Sequence, residues 1–298
     1  MPHPPTVKQL RYFSALERTG HFGRAAEACF VSQSTFSVAI RELETALGTQ
    51  LVDRTTKQVT VTPVGREVAA QARLVLKDIE QLGNMAGAGR PPLTGPLTLG
   101  VIPTIAPFML PKVLPTIRRR YPDLKVYIRE GTTADIHRDL LDGALDVILV
   151  ALPFELRNTN VTRICEDRFL LAARADTQLV DPEKFSVNRV TSPSILLLED
   201  GHCLRDHALA ACKVKNIETV NRFAASSLFT LLEMVDSDLG VTFLPEMAVG
   251  SALLKQTRIR TWPLAKNSYR EIALGWRKST ARADEFNLLA DLIRDSVD

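Results

Sequence analysis

Cys203 and Cys212 stand nine residues apart in the segment Leu198-Glu-Asp-Gly-His-Cys-Leu-Arg-Asp-His-Ala-Leu-Ala-Ala-Cys212, and their surroundings suit a thiol switch. The thiolate is the reactive form of cysteine, and positive groups nearby raise its population at neutral pH. His202 and Arg205 flank Cys203 in this way, whereas nothing comparable surrounds Cys29 or Cys165. The run from Leu204 to Cys212 is rich in alanine, leucine and arginine, which favour helix. Nine helical steps of about 1.5 Å hold two Cα atoms roughly 13 Å apart, while a disulfide tolerates only about 4.4–6.8 Å. Bonding the pair would therefore require local unwinding. Two blander uses of these residues stay open. Free cysteine is commonly a small buried hydrophobe, and His202, Cys203, His207 and Cys212 are nitrogen and sulfur donors of a kind that zinc accepts. Structural zinc motifs usually space their cysteines more closely, however, and one continuous helix cannot aim all four side chains inward.

The chain that must position this pair has 298 residues, enough for one large domain or two modest ones. Its 37 Lys and Arg against 34 Asp and Glu give a formal charge of +3, which permits contact with nucleic acid without demanding it. Hydrophobic residues make up 45% and charged residues 24%, which sets disordered and membrane-spanning classes aside. Four cysteines do not make a disulfide scaffold of the secreted kind. The start, Met-Pro-His-Pro-Pro-Thr-Val-Lys, lacks the apolar core of a signal peptide. No apolar run reaches about 18 residues; Ala144 to Phe154 is interrupted by Asp146 and reads as a buried strand. The expectation is a soluble, cytoplasmic chain with no membrane contact.

The first 60 residues read as short helices. Leu10, Phe13 and Leu16 form an apolar face before Thr19-Gly20, an alanine-rich helix follows around Arg24 to Cys29, and Ser32 is a good N-cap for a third. In that third helix Phe36, Ile40, Leu43 and Leu47 keep one apolar stripe before Gly48. Gln33, Ser34, Thr35, Ser37 and Arg41 lie off the stripe near the helix start, where hydroxyls and backbone amides suit phosphates and Gln or Arg can read base edges. Arg54, Thr55, Thr56 and Lys57, between the apolar runs Leu51-Val52 and Val59-Thr60-Val61, read as a hairpin wing with phosphate contacts. Together these elements make a helix-turn-helix; a solvated bundle face would share the third helix's pattern.

Thr62-Pro63 opens a long helix from Val64 to about Gly83. Its stripe Val64, Val68, Ala72, Val75 and Ile79 asks for a partner, most economically the same helix of a second subunit. Gly87-Ala-Gly-Arg-Pro-Pro92 reads as a hinge. From Leu93 onward, strands near 97–102, 125–128, 145–152, 169–173, 195–198, 241–244 and 272–276 alternate with helices, which predicts an α/β arrangement with largely parallel sheets. Some 200 residues suit two α/β lobes around a cleft, where ligands bind at the carboxyl ends of strands; Thr104 follows one such end.

These residues resemble the LysR-type transcriptional regulators over the whole chain. The carrying string is Arg24-Ala-Ala-Glu27, Val31-Ser-Gln-Ser-Thr35, Ile40-Arg-Glu-Leu-Glu44, Leu47-Gly48, Asp53-Arg54-Thr55 and Thr62-Pro63-Val64-Gly65. The resemblance implies a winged helix-turn-helix over residues 1–62, a linker helix and hinge over 63–92, and a two-lobed α/β regulatory domain of periplasmic-binding-protein type over 93–298. Lobe I would hold about 93–166 with 268–298, and lobe II about 167–267. It also implies a homo-tetramer built as a dimer of dimers, promoter double-stranded DNA and RNA polymerase as partners, no cofactor, and no enzymatic activity. Within the family, Gly100-Val-Ile-Pro-Thr-Ile-Ala-Pro107 and Leu198-Glu-Asp-Gly-His-Cys-Leu-Arg-Asp206 resemble the members that sense hydrogen peroxide. On that likeness Cys203 is the peroxidatic residue and Cys212 the resolving one. Thr104, Thr133, His202, Arg205 and, by resemblance only, Arg270 would align peroxide or activate the thiol. The competing expectation is a member gated by an organic effector in the interlobe cleft, its cysteines incidental.

Overall fold

The computed structural model describes residues 3–54, 59–86, 91–187, 190, 193–212, 214, 217–264 and 268–297, with residues 54, 80, 81, 83–86 and 217 described by their backbone alone. The chain divides into two compact units, residues 1–90 with 141–144, and residues 91–140 with 145–298.

The first unit is helical. Helix α1 (Val7–Thr19) starts on a reciprocal cap in which Thr6 and Gln9 exchange side-chain and backbone hydrogen bonds, and it stops at Gly20 with φ +61°. Helices α2 (Phe22–Ala28) and α3 (Gln33–Leu47) follow. Ser32 Oγ accepts from Thr35 N at 3.2 Å, and Gly48 closes α3 in the left-handed region at φ +64°; such an N-cap is worth about 1 kcal/mol. Phe13, Leu16, Phe36, Ile40 and Leu43 are fully buried together with Leu51 and Val52. Leu47, read as the end of the apolar stripe, stays exposed because the core ends one turn earlier. Strands β1 (Val52–Arg54) and β2 (Val59–Val61) pair antiparallel, Val52 opposite Val61. The tip of this hairpin, including Lys57, lies outside the described residues. Helix α4 (Pro63–Ala86) is a little longer than the sequence pattern suggests, and hinge residues 87–90 also lie outside the described part.

The second unit runs β3 (Gly95–Val101), α5 (Ala106–Arg120), β4 (Leu124–Glu130), α6 (Thr133–Leu141), β5 (Val147–Leu152), β6 (Thr159–Arg174), β7 (Ile195–Leu198), α7 (Cys203–Ala211), β8 (Val220–Ala225), α8 (Leu228–Asp236), β9 (Thr242–Pro245), β10 (Ile259–Pro263), β11 (Tyr269–Arg277) and α9 (Ala283–Val297). The expectation of largely parallel sheets is corrected here. Among the described residues, parallel pairing joins β3 to β4 and β5, β7 to β8, and Ile195 to Val241 in a single bridge, whereas β11 runs antiparallel to β5 and β6, and β6 antiparallel to β9 and β10. The main sheet reads β10-β6-β11-β5-β3-β4 with β9 also on β6. The reason is β6: sixteen residues long rather than the five anticipated, it passes through the whole unit, and β11 returns beside it. Antiparallel return needs no crossover helix. Strands β8 and β10 carry polar and charged positions among their apolar ones and were not anticipated.

Two hydrophobic cores result. One gathers β3, β5, α5 and α9 around Leu97, Val101, Ile148, Leu274 and Phe286; the other gathers β7, α8 and β9 around Phe169, Leu197, Leu232 and Phe243. Helix α7 touches both. Cys203, at its first position, belongs to the first core, while Leu204 and Ala208 belong to the second, against which Cys212 packs.

Candidate functional site

Three chain segments converge on Cys203. The turn after β3 brings Ile102, Pro103 and Thr104, the start of α6 brings Thr132 and Thr133, and Gly201 and His202 lead into α7. Gly201 takes φ +96° at this turn, a conformation that favours glycine. These residues line a cavity of about 10 Å³, about the space that a single water molecule needs. Cys203 is 7% exposed, and Thr104 and Thr133 are also buried. Burial pushes the Cys203 thiol up, while the Thr133 hydroxyl and the Arg270 charge pull it back down. Thr133 Oγ1 is itself buried with no hydrogen-bond partner among the described residues, and the Cys203 thiol is the group whose ionisation it favours.

Arg270 is 1% exposed and engaged at all three guanidinium nitrogens. Its Nε meets Asp167 Oδ2 at 2.9 Å, one terminal nitrogen donates to Thr104 Oγ1 at 2.9 Å, and the other to Thr104 O at 2.9 Å and more weakly toward Met247 Sδ at 3.8 Å. Asp167, buried in turn, accepts from Met247 N at 3.0 Å. Arg270 and Asp167 are directly opposed residues of β11 and β6. This guanidinium therefore fixes Thr104, and because the Thr104 oxygen accepts from it, the hydroxyl proton is left to donate elsewhere. Sequence reasoning missed Asp167. The signal was present: Phe169, Leu171 and Ala173 are buried at period two, and that parity runs back to Asp167.

Of the residues anticipated around the thiol, the structure brings Thr104, Thr133 and His202 to the cavity and Arg270 behind it, but not Arg205. Arg205 turns away to Leu198 O at 3.3 Å and to the exposed Asp200 at 3.1 Å. The reading that flanking cations activate Cys203 is corrected for Arg205 alone: adjacency in sequence places successive side chains on different faces of a helix, and the guanidinium that lowers the Cys203 thiol, that of Arg270, comes from a distant strand. Cys212, at the C-cap of α7, has its thiol pushed up to about 12 by burial. Between the two cysteines, His207 is buried with Nε2 2.8 Å from Pro153 O. Burial, and less strongly Arg270, hold its pKa below the ordinary imidazole value, with Pro153 and Asp206 opposing them. The zinc alternative finds no support in this arrangement, since no group of three metal-ligating side chains comes together among the described residues.

In the first unit, Gln33, Ser34, Thr35 and Arg41 are exposed along one flank of α3, and Ser37 is half-buried beside them. Ser32 Oγ lies 2.9 Å from both Ser34 Oγ and Thr35 Oγ1, so the hydroxyls are clustered at the helix N-terminus, a site suited to anions. Arg54 ends β1 at the hairpin. No described helix is long and apolar enough to cross a membrane.

A capped helix-turn-helix joined in one chain to a two-core α/β unit is the layout of a DNA-binding regulator, and comparison identifies its family. Residues 7–66 match the bacterial regulatory helix-turn-helix protein, lysR family, and residues 91–298 match the LysR substrate binding domain. The chain belongs to the LysR family of transcriptional regulators. It is 40% identical over 292 residues to the HTH-type transcriptional regulator EstR of Acinetobacter baylyi, covering 97% of this chain and 96% of the relative. It is 34% identical over 292 residues to the DNA-binding transcriptional dual regulator OxyR of Escherichia coli, covering 98% and 96%. The structure of a full-length OxyR variant from Pseudomonas aeruginosa superposes with a TM-score of 0.86 at 36% identity, covering 99% of this chain and 96% of that one.

Proposed function

We propose that this regulator senses hydrogen peroxide through Cys203 and reports it through a Cys203–Cys212 disulfide. The observation that carries the reading is the cavity at Cys203. At about 10 Å³ it has no space for an organic effector, whose sites run to about 300–1,000 Å³, yet it holds a thiol, two buried threonines and His202. Hydrogen peroxide, with two oxygen atoms and two hydroxyl protons, is near that size and suits that polarity. The similarity to OxyR along nearly the whole chain supports the same reading.

In this scheme the Thr104 and Thr133 hydroxyls align peroxide and stabilise the leaving hydroxide, Arg270 holds Thr104 and favours the thiolate, and His202 completes the wall. The sulfenic acid so formed is captured by Cys212. Closing the pair dissolves α7 and thereby perturbs both cores, which biases a two-state element and alters how the helix-turn-helix heads engage promoter DNA. The reading assigns residues 1–62 to DNA binding, 63–92 to the linker and 93–298 to sensing, with Gln33, Ser34, Thr35, Ser37, Arg41, Arg54 and Lys57 on the nucleic acid. It carries with it a homo-tetramer, RNA polymerase as the downstream partner, and action in the cytoplasm.

Footprinting on promoter DNA, run on reduced and peroxide-treated protein beside mass mapping of thiols, tests the scheme. The footprint should change on oxidation together with the appearance of a Cys203–Cys212 bridge. Cys203→Ser should bind DNA as the reduced parent does and give no change; a normal peroxide response in that variant would sink the reading. An organic effector remains the second reading because an open cavity of about 1010 Å³ lies beside Pro153, His207 and Tyr269. Thermal shift with a metabolite panel against peroxide separates the two.

A further inference from the structure

Helix α7 is tied to its surroundings at both ends and in the middle. At the start Arg205 holds Leu198 O and Asp200, and at the end Ser268 Oγ donates to Ala211 O at 3.2 Å. In the middle stands the 2.8 Å contact of His207 Nε2 with Pro153 O, a residue just beyond the end of β5. A carbonyl oxygen only accepts, so Nε2 carries the proton and the neutral ring leaves Nδ1 a bare acceptor. Nδ1 is buried and has no partner among the described residues. The ring's one polar bond is therefore the one to Pro153. The flank of α7 beyond it, with Ala210 and Ala211, borders the open cavity of about 1010 Å³, so close packing does not hold the helix on that side.

We propose that His207 is a positioning residue of the redox switch, its bond to Pro153 acting as a latch that keeps reduced α7 helical and limits how fast Cys212 captures oxidised Cys203. The proposal rests on the disulfide reading above. In the first step the Cys203 thiolate attacks one peroxide oxygen, the O–O bond breaks, hydroxide leaves and the sulfur, losing two electrons, becomes a sulfenic acid. In the second the Cys212 sulfur attacks that of Cys203, the S–S bond forms, the S–O bond breaks, and the departing hydroxide takes the Cys212 proton to give water. Only the second step must erase the roughly 13 Å helical separation, and His207, four residues after one cysteine and five before the other, cannot keep its carbonyl while that happens.

The test uses the full-length reduced chain mixed with hydrogen peroxide, quenched by alkylation, with sulfenic acid and disulfide followed separately by mass spectrometry. His207→Leu keeps an apolar body and removes the donor, while His207→Gln keeps a donor. Once sulfenic acid has formed, the Leu variant should close the disulfide about tenfold faster, the factor that one lost buried hydrogen bond corresponds to, and Gln should return the rate to within about threefold of the parent. Hydrogen exchange of the reduced proteins reads the same latch without oxidation: the α7 amides should exchange about tenfold faster in the Leu variant. Should that variant fail to fold, His207→Asn, whose shorter amide falls short of Pro153, takes its place. Parent-like closure and parent-like exchange in a variant without the donor overturn the latch and leave the disulfide reading standing. Absence of any Cys203–Cys212 bridge in the peroxide-treated parent overturns both.

Discussion

Cys203 and Cys212 sit at the two ends of one short helix, yet they belong to different chemical settings. Cys203 packs into the core built by β3, β5 and α9, and there a hydroxyl and a guanidinium counter the cost of ionising a buried thiol. Cys212 packs against the other core, where burial acts unopposed and the pKa reaches about 12. The two thiols therefore differ in how strongly their surroundings oppose ionisation. The difference teaches that the setting of each thiol is made by neighbours in space: Arg205 turns to Leu198 O and Asp200, and the guanidinium that lowers the Cys203 thiol arrives from β11.

The contrast can be broken most severely at Arg270. Arg270→Met leaves Asp167 buried without its partner, which should cost about 3–5 kcal/mol of stability and raise the Cys203 thiol toward the setting of Cys212. Urea unfolding of the reduced chain measures the first effect, and the pH dependence of Cys203 alkylation the second. A variant as stable as the parent would remove the ion pair from this account. A smaller change is expected from Thr133→Val, which preserves shape and deletes the hydroxyl facing the sulfur. Formation of sulfenic acid at pH 7 should slow about tenfold, the effect of losing one hydrogen bond to a charged group, while alkylation of Cys212 should not change.

Acidification probes the helix between the cysteines. His207 has its pKa depressed by burial and by Arg270, with the Pro153 carbonyl and Asp206 opposing, so as pH falls the unfolded chain takes up the imidazole proton before the folded one does. The stability it contributes is complete above about pH 6.5 and is lost as pH drops below that toward the folded value. The denaturation midpoint of the reduced chain should decline between pH 7 and pH 5, and His207→Gln should flatten the decline; identical profiles would assign it to other groups. The smallest effect belongs to Arg205→Gln. Its partner Asp200 has a side chain 92% exposed, so the change should cost under about 1 kcal/mol and leave the rate of Cys203 oxidation near that of the parent. A large rate loss would restore the sequence neighbour as an activator.

Much of the first unit was legible from local pattern. Ser32, Gly48 and the stripe Phe36, Ile40 and Leu43 define α3 through capping and helical spacing, interactions that span only a few residues. In the second unit the element order was readable but the direction of pairing was not, because β6 and β11 meet across about a hundred residues and their register follows from which faces are buried. Thr104, Thr133 and His202 were found through their places beside strand and helix ends or beside the cysteine. His207 enters the sequence reading only as a nitrogen donor near the cysteines, since nothing local announces its contact with Pro153 O.

Sequence alone determined the capped helices of the DNA-reading head, the pair of cysteines and the helix between them whose length forbids their bonding while it lasts. All of these rest on contacts within a turn or two of chain. Tertiary structure alone decided which cation faces Cys203, that Asp167 holds that cation, that the two sulfurs pack in separate cores, and that the cavity between Thr104 and Thr133 closes to the size of a very small ligand. Each of those depends on bringing segments together across many tens of residues, where pairing is chosen by the burial of whole faces rather than by any one residue's neighbours.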